Sequence, residues 1–163
     1  MNSIDEAGIL ALATRLQRLS ERIRKQGTEI YRHCGIDFDP KWFPVIYALH
    51  KKSELGVMEL AQEIGYTHPS TISLLKELTR EKLVLSKKHP SDDRKRQLCL
   101  SARGKTLVEQ MQPVWELLVQ AITQVTDTPN NLFRAIDEVE ERIEQGALLD
   151  AAHRLMKRPG TAR

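Results

Sequence analysis

The sequence predicts a mainly α-helical protein that carries one small β-hairpin, and three observations lead there. Apolar residues recur at helical spacing through most of the chain. Between Val57 and Leu100 two short helical patterns flank a glycine-containing turn and are followed by two β-prone runs. The tip between those runs, His89-Pro90-Ser91-Asp92-Asp93-Arg94, is charged and turn-forming rather than apolar. Helix, turn, helix and hairpin in this order make the pattern of a winged helix-turn-helix, here with long helices on either side.

Each element has its own local cause. From Ile9 to Tyr31, the residues Leu12, Leu16, Leu19, Ile23 and Ile30 share one helical face, and Gly35 supplies the stop. That stripe is more apolar than one short domain needs, which leaves part of it for a second subunit. After a loop over Asp37 to Pro44, Asp39 is the expected N-cap of a second helix with Pro40 in its first position and Trp42, Val45, Ile46 and Leu49 as its core face. Pro44 is tolerable in the first turn or delays the start. Glu54-Leu55-Gly56 reads as a short connection.

Val57, Leu60, Ala61 and Ile64 then form the first helix of the helix-turn-helix, ended by Gly65. Thr67 caps the second, Pro69 lies in its first turn, and Ile72, Leu75, Leu78 and Leu83 are its expected core contacts. Leu83 to Lys87 and Gln97 to Leu100 are the two runs of the hairpin. Ser101 can cap the next helix, whose apolar set is Leu107, Met111, Val114, Leu117, Leu118, Ala121 and Val125, with a kink expected at Pro113. Pro129-Asn130-Asn131 breaks the chain. A last helix is expected from Leu132 to Met156, with Phe133, Ile136, Val139, Ile143, Leu148 and Leu155 inward and Gly146 as a weak point; the tail from Lys157 should fray.

Charge is segregated. Between Tyr66 and Lys105 ten basic residues face four acids, whereas between Asp127 and Asp150 seven acids face two arginines. A polyanion partner at the middle segment accounts for this, and so do two solvated faces of opposite sign. The 163 residues fit one domain. Aromatic residues are only 5% of the chain, so an apolar ligand box must be built from few rings. No stretch reaches the roughly 18 apolar residues of a membrane span, and the N-terminus lacks a secretory pattern, so a cytoplasmic protein without membrane contact is expected. Cys34 and Cys99 stand in no metal or redox spacing, and among the five histidines only His33 beside Cys34 is suggestive. No metal site and no cofactor are expected. Nothing matches a nucleophile elbow, a phosphate loop or a zinc-protease helix, which argues against an enzyme.

The run Asp92-x-Arg94-x-x-x-Leu98-x-Leu100-Ser101-x-x-Gly104 resembles the wing of the MarR family of transcription regulators, in which Thr commonly replaces Ser101. Met58-Glu59-Leu60-Ala61-x-x-Ile64-Gly65 resembles that family's first helix-turn-helix element, and Leu83-Val84 its first wing strand. Two positions depart from the pattern: Lys82 stands where glycine is usual, and Thr71 where an aliphatic residue is frequent. The resemblance implies one MarR-like domain over residues 1–163, with a DNA-binding module at 40–105 and a helical dimerisation region formed by 8–34 and 106–156. It further implies a homodimer on pseudo-palindromic double-stranded DNA.

Within that frame the chemistry of single residues can be assigned. A helix N-terminus favours phosphate or a base edge, so Thr67, His68, Pro69 and Ser70 are candidates there. His68, Ser70 and Ser73 are suited to bases and Lys76 to a phosphate; for each the alternative is a solvated surface residue, and for Thr67 a cap alone. On the wing, Arg94 fits the minor groove with Asp92 holding its guanidinium, or the two form an ion pair that braces the turn. Lys87, Lys88, Lys95 and Arg96 flank the tip as phosphate contacts. Tyr31, Trp42, Tyr47, Met111 and Trp115 are candidates to line a pocket for a small aromatic effector, of the kind the resemblance implies; their alternative is ordinary core. Cys34 is either a reactive thiol or an inert one. The competing function is a winged-helix protein-interaction module that reads no DNA.

Overall fold

Caps and glycines divide the helices where the sequence places them, and most of the buried surface lies between them and a three-stranded sheet. The structure is a computed structural model that describes residues 2–89 and 92–157; within β-structure the side chains of His89 and of Asp92 to Lys95 lie outside the described residues. Helix α1 is Ser3–Glu6, capped by the Asn2 side chain, and a 3₁₀ turn at Gly8–Ala11 leads into α2, Leu12–His33. Asp39 caps the 3₁₀ turn Pro40–Trp42 through the Lys41 amide at 3.0 Å, and α3 begins only at Phe43, running to Lys52. The Asp39 cap therefore stands, but Pro44 sits in the first turn of α3, and the 3₁₀ turn supplies the delay.

Glu54–Gly56 is not a mere connection. It forms strand β1, whose residues Glu54, Leu55 and Gly56 pair with Cys99, Leu98 and Gln97 of a strand some forty residues on. Helix α4, Val57–Glu63, follows directly, with the Glu59 carboxylate accepting from the Gly56 amide at 2.7 Å. Helix α5 is His68–Arg80, and the wing consists of β2, Val84–His89, and β3, Asp92–Leu100. The antiparallel order β1-β3-β2 makes β3 the central strand, so Leu98, Cys99 and Leu100 are all buried instead of alternating.

The core of the module joins Val45, Ile46 and Leu49 of α3, Leu60 of α4, Leu75 and Leu78 of α5, and Leu83, Val84 and Leu98 of the wing. Full burial of a side chain of this size stabilises by about 1.5–3 kcal/mol. Thr71, not Ile72, takes the fully buried place on α5, and Ile72 is only half-buried. The Thr71 hydroxyl is satisfied by donating to the Thr67 carbonyl at 3.0 Å, which makes the burial of a polar group tolerable.

Helix α6, Ala102–Thr126, buries Gly104, Val108, Met111 and Val114; it runs unbroken through Pro113, which is exposed, so the expected kink is not a break in the helix. The chain divides into two units, Met1–Glu116 and Leu117–Arg163, and α6 passes from the first into the second. In the second unit the expected single last helix is two: α7, Leu132–Glu144, and α8, Ala147–Met156. Gly146 separates them with φ of 77°, a left-handed conformation that ends one helix and caps the next. Neither α7 nor α8 contains a buried residue, and Phe133, Leu148 and Leu149 are each about two-thirds exposed. In the first unit, Leu12, Leu16, Leu19 and Ile23 of α2 form an apolar stripe that is likewise exposed. No helix among the described residues is long and apolar enough to cross a membrane.

Candidate nucleic-acid interface

Helix α5 is built to show one face. Thr71, Leu75 and Leu78 lie inside at helical spacing, while Pro69, Ser73, Lys76 and Arg80 lie outside at intervals of four, three and four. Thr67 is the N-cap, accepting from the Ser70 amide at 3.4 Å. Its hydroxyl also donates to the Ser70 hydroxyl at 2.9 Å, so Ser70 is partly engaged inside the cap, whereas His68 and Ser73 are exposed. Arg80, not among the sequence candidates, completes the outer row four residues beyond Lys76; its side chain is 75% exposed and lies 3.7 Å from Glu81. The signal was present in the spacing.

The helix exit accounts for one of the two departures from the family pattern, Lys82. Lys82 has φ of 59°, the left-handed conformation that glycine normally provides. Around it the Lys82 amide donates to Thr79 and the Leu83 amide to Leu78, at 3.0 and 2.9 Å. This is the paired closing bond of a Schellman end, with Leu78 and Leu83 as its apolar contact. The ends of α2 and α4 are built the same way, with Gly35 and Gly65 in that position. Ser101 then fastens the exit to α6: its hydroxyl donates to the Lys82 carbonyl at 2.6 Å and accepts from the Gly104 amide at 2.9 Å. A Cβ on Gly104 would strike the Leu83 carbonyl oxygen, so the motif Ser101-x-x-Gly104 is a close backbone approach held by one hydroxyl.

On the wing, Lys87, Lys88 and Arg96 are exposed, and Lys88 and Arg96 are partners across the ladder. The side chains of Asp92, Arg94 and Lys95 lie outside the described residues, so the expected guanidinium–carboxylate pair stays a sequence reading.

The candidate effector residues come together as a ring cluster. The Trp115 indole donates to the Tyr31 hydroxyl at 2.9 Å, and the Trp115 ring meets Phe43, Tyr47 and His50 at centroid distances of 5.7, 5.6 and 6.0 Å. Tyr31 packs on Phe38 at 4.9 Å and Phe38 on Trp42 at 6.0 Å; Met111 is fully buried. Burial pushes the Tyr31 phenol above its ordinary value, opposed by the bond from Trp115. Phe38, Phe43 and His50 were not among the sequence candidates; Phe43 and His50 stand four residues before and three after Tyr47 on α3, so helical spacing carries a signal for both, whereas Phe38 lies in a loop and has no such period. A cavity of about 390 Å³ touches the cluster only at His50 and is lined further by Glu54, Lys87, Cys99, Lys105 and Glu109; none of Tyr31, Trp42, Tyr47, Met111 and Trp115 lines it. Cys34 is exposed and Cys99 buried, and the His33 ring donates to the Glu29 carbonyl at 2.7 Å. Among the described residues no group of His, Cys, Asp or Glu is arranged to hold a metal.

No protein-family model and no curated protein matches the chain. Solved structures do. The transcriptional regulator MosR of M. tuberculosis, in complex with DNA, superposes with a TM-score of 0.68 at 18% identity over 82% of this chain and 96% of that one. A MarR variant from E. coli complexed with operator DNA gives 0.67 at 16% identity, over 88% and 99%. BpsR of Bordetella bronchiseptica, whose DNA binding is regulated by 6-hydroxynicotinic acid, gives 0.57 at 19%, over 78% and 97%. The chain thus has the MarR-type winged-helix fold, which its wing and helix-turn-helix motifs predict.

Proposed function

We propose that this protein is a DNA-binding transcription regulator that acts as a repressor, reading a pseudo-palindromic duplex as a homodimer and released by a small aromatic effector. The observation that carries the reading is the outer row of α5, Pro69, Ser73, Lys76 and Arg80, set beside a wing with Lys87, Lys88 and Arg96 exposed. A row of short polar and basic side chains on a helix fits the major groove, and the wing cations fit the flanking phosphates. Arg94, beside the wing tip, enters the minor groove. The homodimer is supported by the exposed apolar faces of α2, α7 and α8, which a second copy of the chain covers. With two copies, the recognition helices reach half-sites about 34 Å apart, one turn of duplex.

The effector reading is supported by the ring cluster around Trp115 and by the adjoining cavity, where Lys87 and Lys105 stand with Glu54 and Glu109 and so offer partners of both signs to a polar aromatic ligand. Its bearing on DNA is direct, because Lys87 also belongs to the wing.

Selection of duplexes from a random pool tests the central claim: a palindromic consensus is expected, and no enrichment overturns it in favour of a protein-interaction module. Arg94→Ala should weaken binding to the selected duplex about tenfold while leaving the oligomeric state unchanged. Unchanged anisotropy titrations at moderate salt would remove Arg94 from the interface. For wild type, affinity should fall steeply as salt rises, because phosphate neutralisation releases counterions.

A further inference from the structure

Glu77 is the only acid on α5, and it stands next to Lys76 on a helix otherwise free of negative charge. A carboxylate there repels phosphate, so its presence on a DNA-facing helix needs a reason. It is turned inward: one carboxylate oxygen, Oε2, accepts from the Trp42 indole N–H at 3.0 Å and pairs with the Lys41 ammonium at 2.8 Å. Lys41 in turn lies 3.2 Å from Asp39, whose other oxygen caps the same 3₁₀ turn. Lys41 holds the Glu77 carboxyl below its ordinary range, with the Trp42 bond as the next cause. The indole is itself fixed, by its edge against Phe38, which packs on Tyr31.

The remaining inward face of α5 is Leu75, Leu78 and Thr71, whose hydroxyl bonds only within the helix, so its contacts with other elements there are apolar packing. Apolar packing resists separation but is weakly directional, so by itself it tolerates small rotations of a helix about its axis. Charge-assisted bonds are directional. Glu77 therefore fixes an angle that the leucines leave soft, and Ser73 and Lys76, within one helical turn, take their setting from it.

We propose that Lys41 and Trp42 clasp Glu77 to set the rotation of the recognition helix, making Trp42 and Glu77 positioning residues for sequence discrimination. The proposal rests on the DNA-reading role of α5. Trp42→Phe keeps the ring on Phe38 and removes the N–H; Glu77→Gln keeps the shape and removes the charge. The full-length chain and each variant are titrated with the duplex selected by wild type and with an unrelated duplex at the same salt. Loss of one hydrogen bond to a charged group corresponds to about tenfold, so Trp42→Phe should bind the selected duplex about tenfold more weakly and the unrelated one nearly as wild type does. Glu77→Gln, with a negative charge removed, should bind the unrelated duplex as well or better and still lose its preference. The double variant should lose no more than the worse single one, because both break the same link. A second readout needs no DNA: Trp115→Phe leaves Trp42 as the sole tryptophan, and adding Glu77→Gln should shift its emission. Folded variants that keep the wild-type preference, or that weaken both duplexes equally, overturn the clasp while leaving the DNA reading intact. A wild-type chain that selects no duplex overturns the DNA reading and the clasp with it.

Discussion

Replacing Ser101 by Ala should cost more than its small size suggests, and the cost can be worked from two bonds. The hydroxyl is buried and accepts from the Gly104 amide at 2.9 Å, the N-cap bond of α6. Loss of such a cap typically costs about 1 kcal/mol. The same hydroxyl donates to the Lys82 carbonyl at 2.6 Å, and an acceptor stripped of its donor away from water costs about 1–3 kcal/mol. The two contributions point to about 2–4 kcal/mol, which for a chain of this length lowers the melting temperature by about 4–16 °C. Ser101→Thr preserves both bonds and should stay within about 1 kcal/mol of wild type. Urea denaturation of the three proteins at one fixed concentration measures this, with equal slopes confirming that the same surface unfolds. If Ser101→Ala loses less than about 1 kcal/mol, or Thr and Ala behave alike, then the hydroxyl does not fasten the helix exit.

Lys82→Gly should stabilise: a non-glycine residue in the left-handed region costs about 1–2 kcal/mol, and the added freedom of glycine in the unfolded chain returns about 0.5–1 kcal/mol. A melting temperature raised by about 2–4 °C is expected, and an unchanged or lowered one argues that the Lys82 side chain makes a compensating contact. Tyr31→Phe leaves the Trp115 indole N–H without its acceptor and should destabilise by about 1–2 kcal/mol at neutral pH. Tyr31 also predicts an alkaline limit. Its folded pKa lies above the ordinary value of 10.0, so the stability it contributes is fully present below that pH and is lost as pH rises beyond it. Denaturation midpoints of wild type and Tyr31→Phe should therefore converge above pH 10, and parallel curves would contradict the burial of the phenol.

Features written in local sequence were legible. Thr67, Asp39 and Ser101 were readable as caps because a short oxygen-bearing side chain before an apolar period has few other uses. The hairpin was readable from its turn cluster. Features made by long-range pairing were not. Glu54-Leu55-Gly56 has too few residues to alternate, and it becomes a strand only because residues 97–99 lie beside it. Gly146 read as a weak point in one helix, yet a left-handed φ there separates two. Thr71 and Ile72 exchanged places because a threonine that bonds back to Thr67 can be buried, which periodicity by itself does not register. In the candidate site, His68, Ser73 and Lys76 fall on the exposed side as read, while the grip on Glu77 links positions 35 residues apart and leaves no pattern in the sequence.

The recognition helix α5 is attached to other elements at two places by polar bonds. Thr71 bonds back to Thr67, the N-cap of the same helix, and so satisfies a buried hydroxyl without tying α5 to another element; α5 is tied at its middle by Glu77 bonding to Lys41 and Trp42 and at its exit by the Lys82 carbonyl accepting from Ser101. The two outside attachments are polar and directional, and each anchors a different turn of the helix. An aliphatic residue at position 71 and a glycine at position 82 would give comparable burial and a less strained exit, and neither would remove an attachment of the helix to another element. A recognition helix must keep its outward side chains within a fraction of a helical turn of their targets, and two directional attachments restrict its rotation and sliding more tightly than a leucine face alone. The strain at Lys82 is separate from that setting, because the attachment there uses only the backbone carbonyl. On this argument, Lys82→Gly should raise stability and leave duplex preference unchanged, since Ser101 bonds to the carbonyl of residue 82 and not to its side chain.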